Sequence, residues 1–195
     1  MSELIDARGL SCPTPVLMAK KALAQEGAQG LQVLVDNEAA AENLRALGAS
    51  LGYEVQVAAD GSGGYTVSFA PGGQGTAPAP ARPAREQYIV VLAGDEMGQG
   101  DPAFGRKLLE GYLYALTEQD ELPAYILCYN KGVYLTCVNE KSKTDLAKME
   151  AKGVQVLSCG LCLDYYGLKE QLGVGQVTNM YRICELMRSY PVVRP

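Results

Sequence analysis

The sequence predicts two unlike α/β units in one chain: an N-terminal βαβαββ two-layer sandwich and a C-terminal three-layer unit built on a parallel sheet. Three observations lead there. A stretch rich in Pro, Gly and Ala interrupts the 195-residue chain. Before it, apolar residues alternate with polar ones in the candidate strands; after it, they run continuously. Alternation marks a sheet with one covered face, whereas continuous runs mark a parallel sheet covered on both.

The elements follow in order. Leu4 to Asp6 reads as a short strand, and Pro13 to Gln25 as a helix that Gly27 ends. Leu31 to Val35 is apolar and β-favouring. From about Glu38 to Leu51, the residues Ala40, Leu44, Leu47 and Leu51 stack on one helical face. Tyr53, Val55 and Val57 alternate, Gly61 to Gly64 turn the chain, and Tyr65, Val67 and Phe69 alternate again, which is a hairpin pattern.

Residues 70–87 hold four prolines, three glycines and no large aliphatic side chain, so no core forms there and a flexible linker is expected. A linker of this length spans roughly 23 Å r.m.s.. The expected boundaries are therefore 1–69, 70–87 and 88–195, with no internal repeat between the two units.

Beyond the linker, Ile89 to Ala93, Tyr125 to Cys128 and Val154 to Leu157 are buried parallel strands, separated by helical segments. Asp101-Pro102 is an N-cap and N1 pair, opening a helix with Phe104, Leu108, Tyr112, Leu113 and Leu116 on its inner side. Ser142 to Ala151 and Thr178 to Ser189 are further helices. The glycines of Gly94 to Asp101 invite a phosphate loop, but three acids and no Lys argue for an ordinary loop at the sheet's carboxyl edge.

Composition narrows the chemistry. The formal charge is −5, which offers no broad basic field for nucleic acid. There is no histidine, which removes Ser-His-Asp relays, Cys-His pairs and His-ligated zinc. Carboxylate, lysine, tyrosine and thiol chemistry remain. Six cysteines are too few for a disulfide scaffold, the N-terminus has an acid where a signal peptide needs a basic region, and no run approaches the roughly 20 apolar residues of a membrane span. A reducing cytoplasm, with no membrane association, is the expected setting.

Cys12-Pro13-Thr14-Pro15 lies where the first strand meets the first helix. This places Cys12 at the cap, where the helix dipole favours thiolate, with Pro13 and Pro15 fixing the backbone around the sulfur. A buried small hydrophobe is the alternative for Cys12. The run Leu4-Ile5-Asp6-Ala7-Arg8-Gly9-Leu10-Ser11-Cys12-Pro13-Thr14-Pro15-Val16 resembles the TusA-like family of small sulfur carriers. That resemblance, covering residues 1 to about 70, implies that Cys12 carries a persulfide and hands its outer sulfur to an acceptor.

The other thiols lie in the second unit. Cys128 closes one strand and Cys159 follows another, and groups just past the carboxyl ends of parallel strands converge on a crevice. Cys159-Gly160-Leu161-Cys162 adds a CxxC, in which the following helix favours a Cys159 thiolate and Cys162 is placed to resolve a persulfide or mixed disulfide. A zinc or cluster site completed by Cys128 and Cys137, and a thioredoxin-type exchanger, remain as alternatives. Cys184 shares an apolar stripe with Met180, Ile183 and Met187, so packing accounts for it, and Cys137 reads as structural too.

Tyr129-Asn130-Lys131-Gly132-Val133 and Val156 to Cys162 resemble the DsrE-like family, and the fusion resembles the YedF group of sulfurtransferase-like proteins associated with selenium metabolism. The resemblance implies that Cys159 is a sulfur-relay cysteine, supported by Cys128 and Asn130. Cys162 departs from the general pattern. It further implies a cysteine desulfurase or another sulfur or selenium donor and acceptor as partners, and homo-oligomers through the C-terminal domain. Such exchange needs no imidazole, metal or bound cofactor. The competing function is a non-catalytic scaffold that docks sulfur-pathway partners.

Overall fold

A computed structural model describes residues 3–24, 30–61, 63–71 and 87–195. The chain divides into two compact units, Met1–Pro83 and Ala84–Pro195. Most of the expected linker, and the Gly27 helix stop, lie outside the described residues; Ala70 and Pro71 belong to the last strand of the first unit.

The first unit runs β1 (Glu3–Asp6), α1 (Thr14–Leu23), β2 (Leu31–Val35), α2 (Glu38–Ser50), β3 (Tyr53–Ala59) and β4 (Tyr65–Pro71), the expected βαβαββ order. The sheet order is β1-β2-β4-β3, with β1 parallel to β2 and β4 antiparallel to both its neighbours. Opposed pairs Leu31–Phe69 and Val33–Val67 are buried beneath Ala19, Leu23, Ala41 and Leu44 of the helices, whereas Gln32 on the reverse face is exposed. One covered face is what the period of two specified.

Two details differ from expectation. Leu51 shares a helical face with the buried Leu44 by spacing, but it is the C-cap, past the last helical residue Ser50, and is exposed. Gly48 allows α2 to lie on the hairpin, since a Cβ there would come within 2.2 Å of Val55 Cγ2 and 2.9 Å of Phe69 Cε1.

The second unit contains β5 (Ile89–Leu92), α3 (Pro102–Thr117), β6 (Tyr125–Cys128), a 3₁₀ turn at Asn130–Val133, α4 (Tyr134–Cys137) and α5 (Glu140–Ala151). It continues with β7 (Gln155–Cys159), α6 (Gly160–Tyr165), a 3₁₀ turn at Lys169–Gln171, β8 (Gln176–Thr178), α7 (Met180–Ser189) and β9 (Val192–Val193). All five strands are parallel, in the order β8-β7-β6-β5-β9. Val90, Leu92, Ile126, Cys128 and Val156 pack on one side with Leu109, Leu113, Leu146 and Met149. Ile89, Val91, Leu127, Leu157 and Cys159 pack on the other with Ile183 and Leu186. This is the expected three-layer arrangement.

Asp101 does cap α3, its Oδ1 accepting from the Phe104 N–H at 2.8 Å. The inner face of α3 is nevertheless rotated from the expected one: Phe104 and Leu108 are exposed, and Gly105, Leu109, Leu113 and Leu116 face inward. The 94–101 loop packs on Gly105, with the Met97 N–H donating to its carbonyl at 3.0 Å, while Leu109, Leu113 and Leu116 on the same side pack on the strands and α5. Likewise α7 buries Ile183 and Leu186 and leaves Met180 and Cys184 exposed, so packing does not account for Cys184.

Candidate functional site

In the first unit, the parallel strands β1 and β2 deliver two loops to one end of the sheet. After β1, Gly9 takes φ +73°, a left-handed conformation that glycine adopts without steric cost. Its N–H donates to Asp36 Oδ2 at 2.7 Å, immediately after β2. Asp36 Oδ1 accepts from Asn37 Nδ2 at 2.9 Å, and Asn37 caps α2 by accepting from the Ala40 N–H at 2.8 Å. One carboxylate thus ties the loop that carries Cys12 to the start of α2.

Cys12 is exposed and lines a cavity of about 340 Å³, together with Gly9, Val16, Asp36, Asn37 and Asn43. Pro15 is buried in the cavity wall, and the Cys12–Pro13 peptide is cis. The helix cap is Pro13 rather than Cys12, and α1 begins at Thr14. The Thr14 N–H is not free for the sulfur, because it donates to the Ser11 carbonyl at 3.0 Å. The buried-hydrophobe alternative for Cys12 is therefore set aside by its exposure.

Beside the cavity, Arg8 clasps Asp6 through Nε at 2.8 Å and Nη2 at 2.6 Å. The Arg8 side chain and backbone hydrogen bonds hold the Asp6 carboxyl down at about 2. Asp36 is likewise held below the ordinary carboxylate range, first by the Gly9 N–H and then by Asn37. A depressed carboxylate contributes stability above its unfolded pKa and loses it as pH falls through the folded value. The Gly9 amide should accordingly stay protected against hydrogen exchange through neutral and mildly acidic pH and lose protection at strongly acidic pH. Asp36→Ala should remove the protection at every pH; protection that survives the substitution would show that Asp36 is not the anchor.

In the second unit, the structure brings Cys159, Cys162 and Asn130 together and separates Cys128 from them. Cys128 pairs in register with Ser158, so Cys159, the next residue on β7, points to the opposite side of the sheet. Cys128 packs with α3 and α5; Cys159 packs with α7. Complete burial pushes the Cys128 thiol up to about 12, so it is a core side chain and not a support for sulfur chemistry. Cys137 is also buried, with its thiol pushed up by desolvation and placed 3.7 Å from Thr136 Oγ1. Between pH 9 and 12 the unfolded chain gives up the Cys128 proton while the folded chain keeps it, so stability falls as pH rises. Compared with Cys128→Ala, the wild-type chain should lose up to about 1.4 kcal/mol more per pH unit in that window, measured by urea unfolding.

Cys159 ends β7, caps the short helix α6 and is 1% exposed. Cys162, one turn on, is partly exposed and packs against the buried cluster that holds Cys159. Burial first, and Cys159 besides, push the Cys162 thiol up, against a lowering pull from the Asn130 N–H. That N–H donates to Cys162 Sγ at 3.1 Å. Asn130 adopts φ +50°, and its Oδ1 accepts from the Tyr166 hydroxyl at 2.6 Å. The Tyr166 ring in turn meets Tyr134 edge-on at 5.3 Å. Among the described residues, no three His, Cys, Asp or Glu side chains are grouped to hold a metal ion.

Sequence reading alone did not single out Asp36, Asn37, Asn43 or Tyr166. A signal for the first two exists: an Asp-Asn pair directly after a strand and before a helix is an N-cap position at the carboxyl end of a parallel pair. Tyr166 has no such signal.

Residues 3–69 match the family described as Sulfurtransferase TusA. The SirA-like protein from Desulfitobacterium hafniense is 39% identical over 37% of this chain and 100% of its own, with a TM-score of 0.34. The ychN protein from E. coli is 15% identical, over 56% of this chain and 100% of its own, with a TM-score of 0.42. A conserved protein of unknown function from Bacteroides thetaiotaomicron is 15% identical, over 59% of this chain and 99% of its own, at 0.41. No curated protein matches the chain.

Proposed function

Because residues 3–69 of this chain belong to the TusA sulfurtransferase family, a sulfur-carrier role is the premise, and we propose that Cys12 is the atom that carries the sulfur, as a persulfide. The observation that carries the reading is an exposed Cys12 at a cavity of about 340 Å³, on a loop fastened by Asp36. In loading, the Cys12 thiolate attacks the outer sulfur of a donor persulfide, the donor S–S bond breaks, and the donor leaves as thiolate. A backbone fixed by Gly9, Pro13 and Pro15 presents the sulfur at a constant place without a general base.

The C-terminal unit is read as a DsrE-like partner domain that receives the chalcogen on its CxxC pair, giving the YedF-like arrangement of carrier, tether and acceptor. Support comes from the Asn130 and Cys162 contact and from the two-unit division. On this reading the donor is a cysteine desulfurase or a selenium-delivering counterpart, the setting is cytoplasmic, and the C-terminal unit assembles as a homo-oligomer. Among the described residues no helix is long and apolar enough to cross a membrane.

A docking scaffold is the second reading, favoured by the exposed apolar side chains Leu161, Tyr165 and Tyr181. Incubation with a cysteine desulfurase and cysteine, followed by intact mass spectrometry, separates the two. A gain of about 32 Da on the Cys12 peptide, absent from Cys12→Ala, is the expected result. No gain with an active desulfurase leaves the scaffold.

A further inference from the structure

We propose that in the C-terminal pair Cys162 is the entry thiol and Cys159 the resolving one, so that the pair discharges a persulfide as hydrogen sulfide and closes into a disulfide. The inference rests on the carrier reading only for the identity of the physiological donor. Three independent observations carry it.

Accessibility comes first: Cys159 is 1% exposed, whereas Cys162 reaches solvent beside the exposed Leu161 and Tyr165. A donor persulfide therefore meets Cys162. Second, the Asn130 N–H is aimed at Cys162 Sγ from 3.1 Å, and a hydrogen bond from a backbone donor stabilises negative charge on sulfur. The donor is held in place by an unusual backbone: Asn130 takes φ +50°, fastened through its side chain by the Tyr166 hydroxyl. Third, Cys162 stands three residues along α6 from its cap Cys159 and packs against the buried cluster that holds Cys159, which puts a second thiol beside the first on the side away from solvent.

The Cys162 thiolate attacks the outer sulfur of a donor persulfide; the donor S–S bond breaks and the donor leaves as thiolate, giving Cys162–S–SH. The Cys159 sulfur then attacks the inner sulfur of Cys162–S–SH, forming the Cys159–Cys162 bond. The S–SH bond breaks, and the proton from Cys159 leaves with it as hydrogen sulfide. The two thiols supply two electrons, the departing sulfur takes them up, and a dithiol reductant restores the pair. A selenium atom in the same position leaves as hydrogen selenide.

The test uses the full chain carrying Cys12→Ala, reduced and desalted, with glutathione persulfide as the sulfur source. In a single turnover it should release about one sulfide per chain and lose about 2 Da, with the disulfide mapped to the peptide containing Cys159 and Cys162. Adding Cys159→Ala should leave about 32 Da on Cys162 and cut sulfide release at least about tenfold. Adding Cys162→Ser should abolish both. In the chain that retains both thiols, brief iodoacetamide treatment should modify Cys162 before Cys159 and block release, a result that no folding defect can imitate. Release should quicken as pH rises above neutral, because the Cys162 thiol is pushed up by burial. Persulfide found on Cys159 in the Cys162→Ser chain, release that survives that substitution, or absence of the disulfide would each overturn the assignment. Since Cys12 is missing throughout, failure of the carrier reading shows separately, as an unloaded Cys12 in the wild-type chain.

Discussion

Iodoacetamide should label Cys12 in the folded protein at least about a thousandfold faster than Cys128, because opening a buried core to reagent costs about 4 kcal/mol or more and each 1.4 kcal/mol is tenfold. Cys12 is exposed at the cavity, whereas Cys128 is 0% exposed within a sheet covered on both faces, its thiol pushed up to about 12. Cys184, exposed on α7, should label as well, so the measurement is quenched alkylation followed by peptide mapping. In urea the Cys128 rate should approach that of Cys12 as the C-terminal unit unfolds. Protection of Cys12 until denaturation would remove the exposed thiol on which the proposed carrier function rests.

Gly132→Ala should destabilise the C-terminal unit by about 3 kcal/mol or more, the range of a severe steric insertion into packed structure. A Cβ at Gly132 would lie 1.9 Å from the Leu92 carbonyl oxygen and 2.8 Å from its carbon. Both are backbone atoms, which cannot rotate away. The same Leu92 oxygen accepts the Tyr129 N–H at 3.1 Å, so the 129–133 segment is clasped against the end of β5. Relief of the clash requires the segment to lift, which draws the Asn130 N–H away from Cys162. Urea unfolding should therefore show the loss of stability, and sulfide release from the C-terminal pair should fall with it. Gly100→Ala is the control: no atom lies within 4 Å of its Cβ, and its stability should be close to wild type. Equal midpoints for the two variants would contradict the close approach.

Strand and helix types were legible because the residues that decide them are local. Tyr65, Val67 and Phe69 alternate and form β4; Ile89 to Leu92 are uniformly apolar and are buried on both sides; Asp101-Pro102 opens α3 as an N-cap pair. The short edge strands β8 and β9, of three and two residues, carry too few positions for a period to register. The inner face of α3 is not legible in the sequence for a different reason. Phe104 and Leu108 are as apolar as Leu109 and Leu113, and which pair is covered depends on how the helix sits on the strands, on α5 and under the loop resting on Gly105.

For the site, the sequence by itself determined which atoms are available: a thiol between the first strand and a proline-rich helix start, a CxxC after a buried parallel strand, and no imidazole anywhere. Tertiary structure alone decided where they stand and what they meet. Register with Ser158 sends Cys128 to the opposite face from Cys159, removing it from the pair. Asp36, 27 residues from Gly9, fastens the Cys12 loop because parallel pairing of β1 and β2 brings their carboxyl ends together. Asn130 meets Cys162 across 32 residues because β6 and β7 are neighbours in the same sheet. Residue type and spacing fix the chemistry a side chain offers, but burial, and the donor it meets, depend on which distant segment the sheet places beside it.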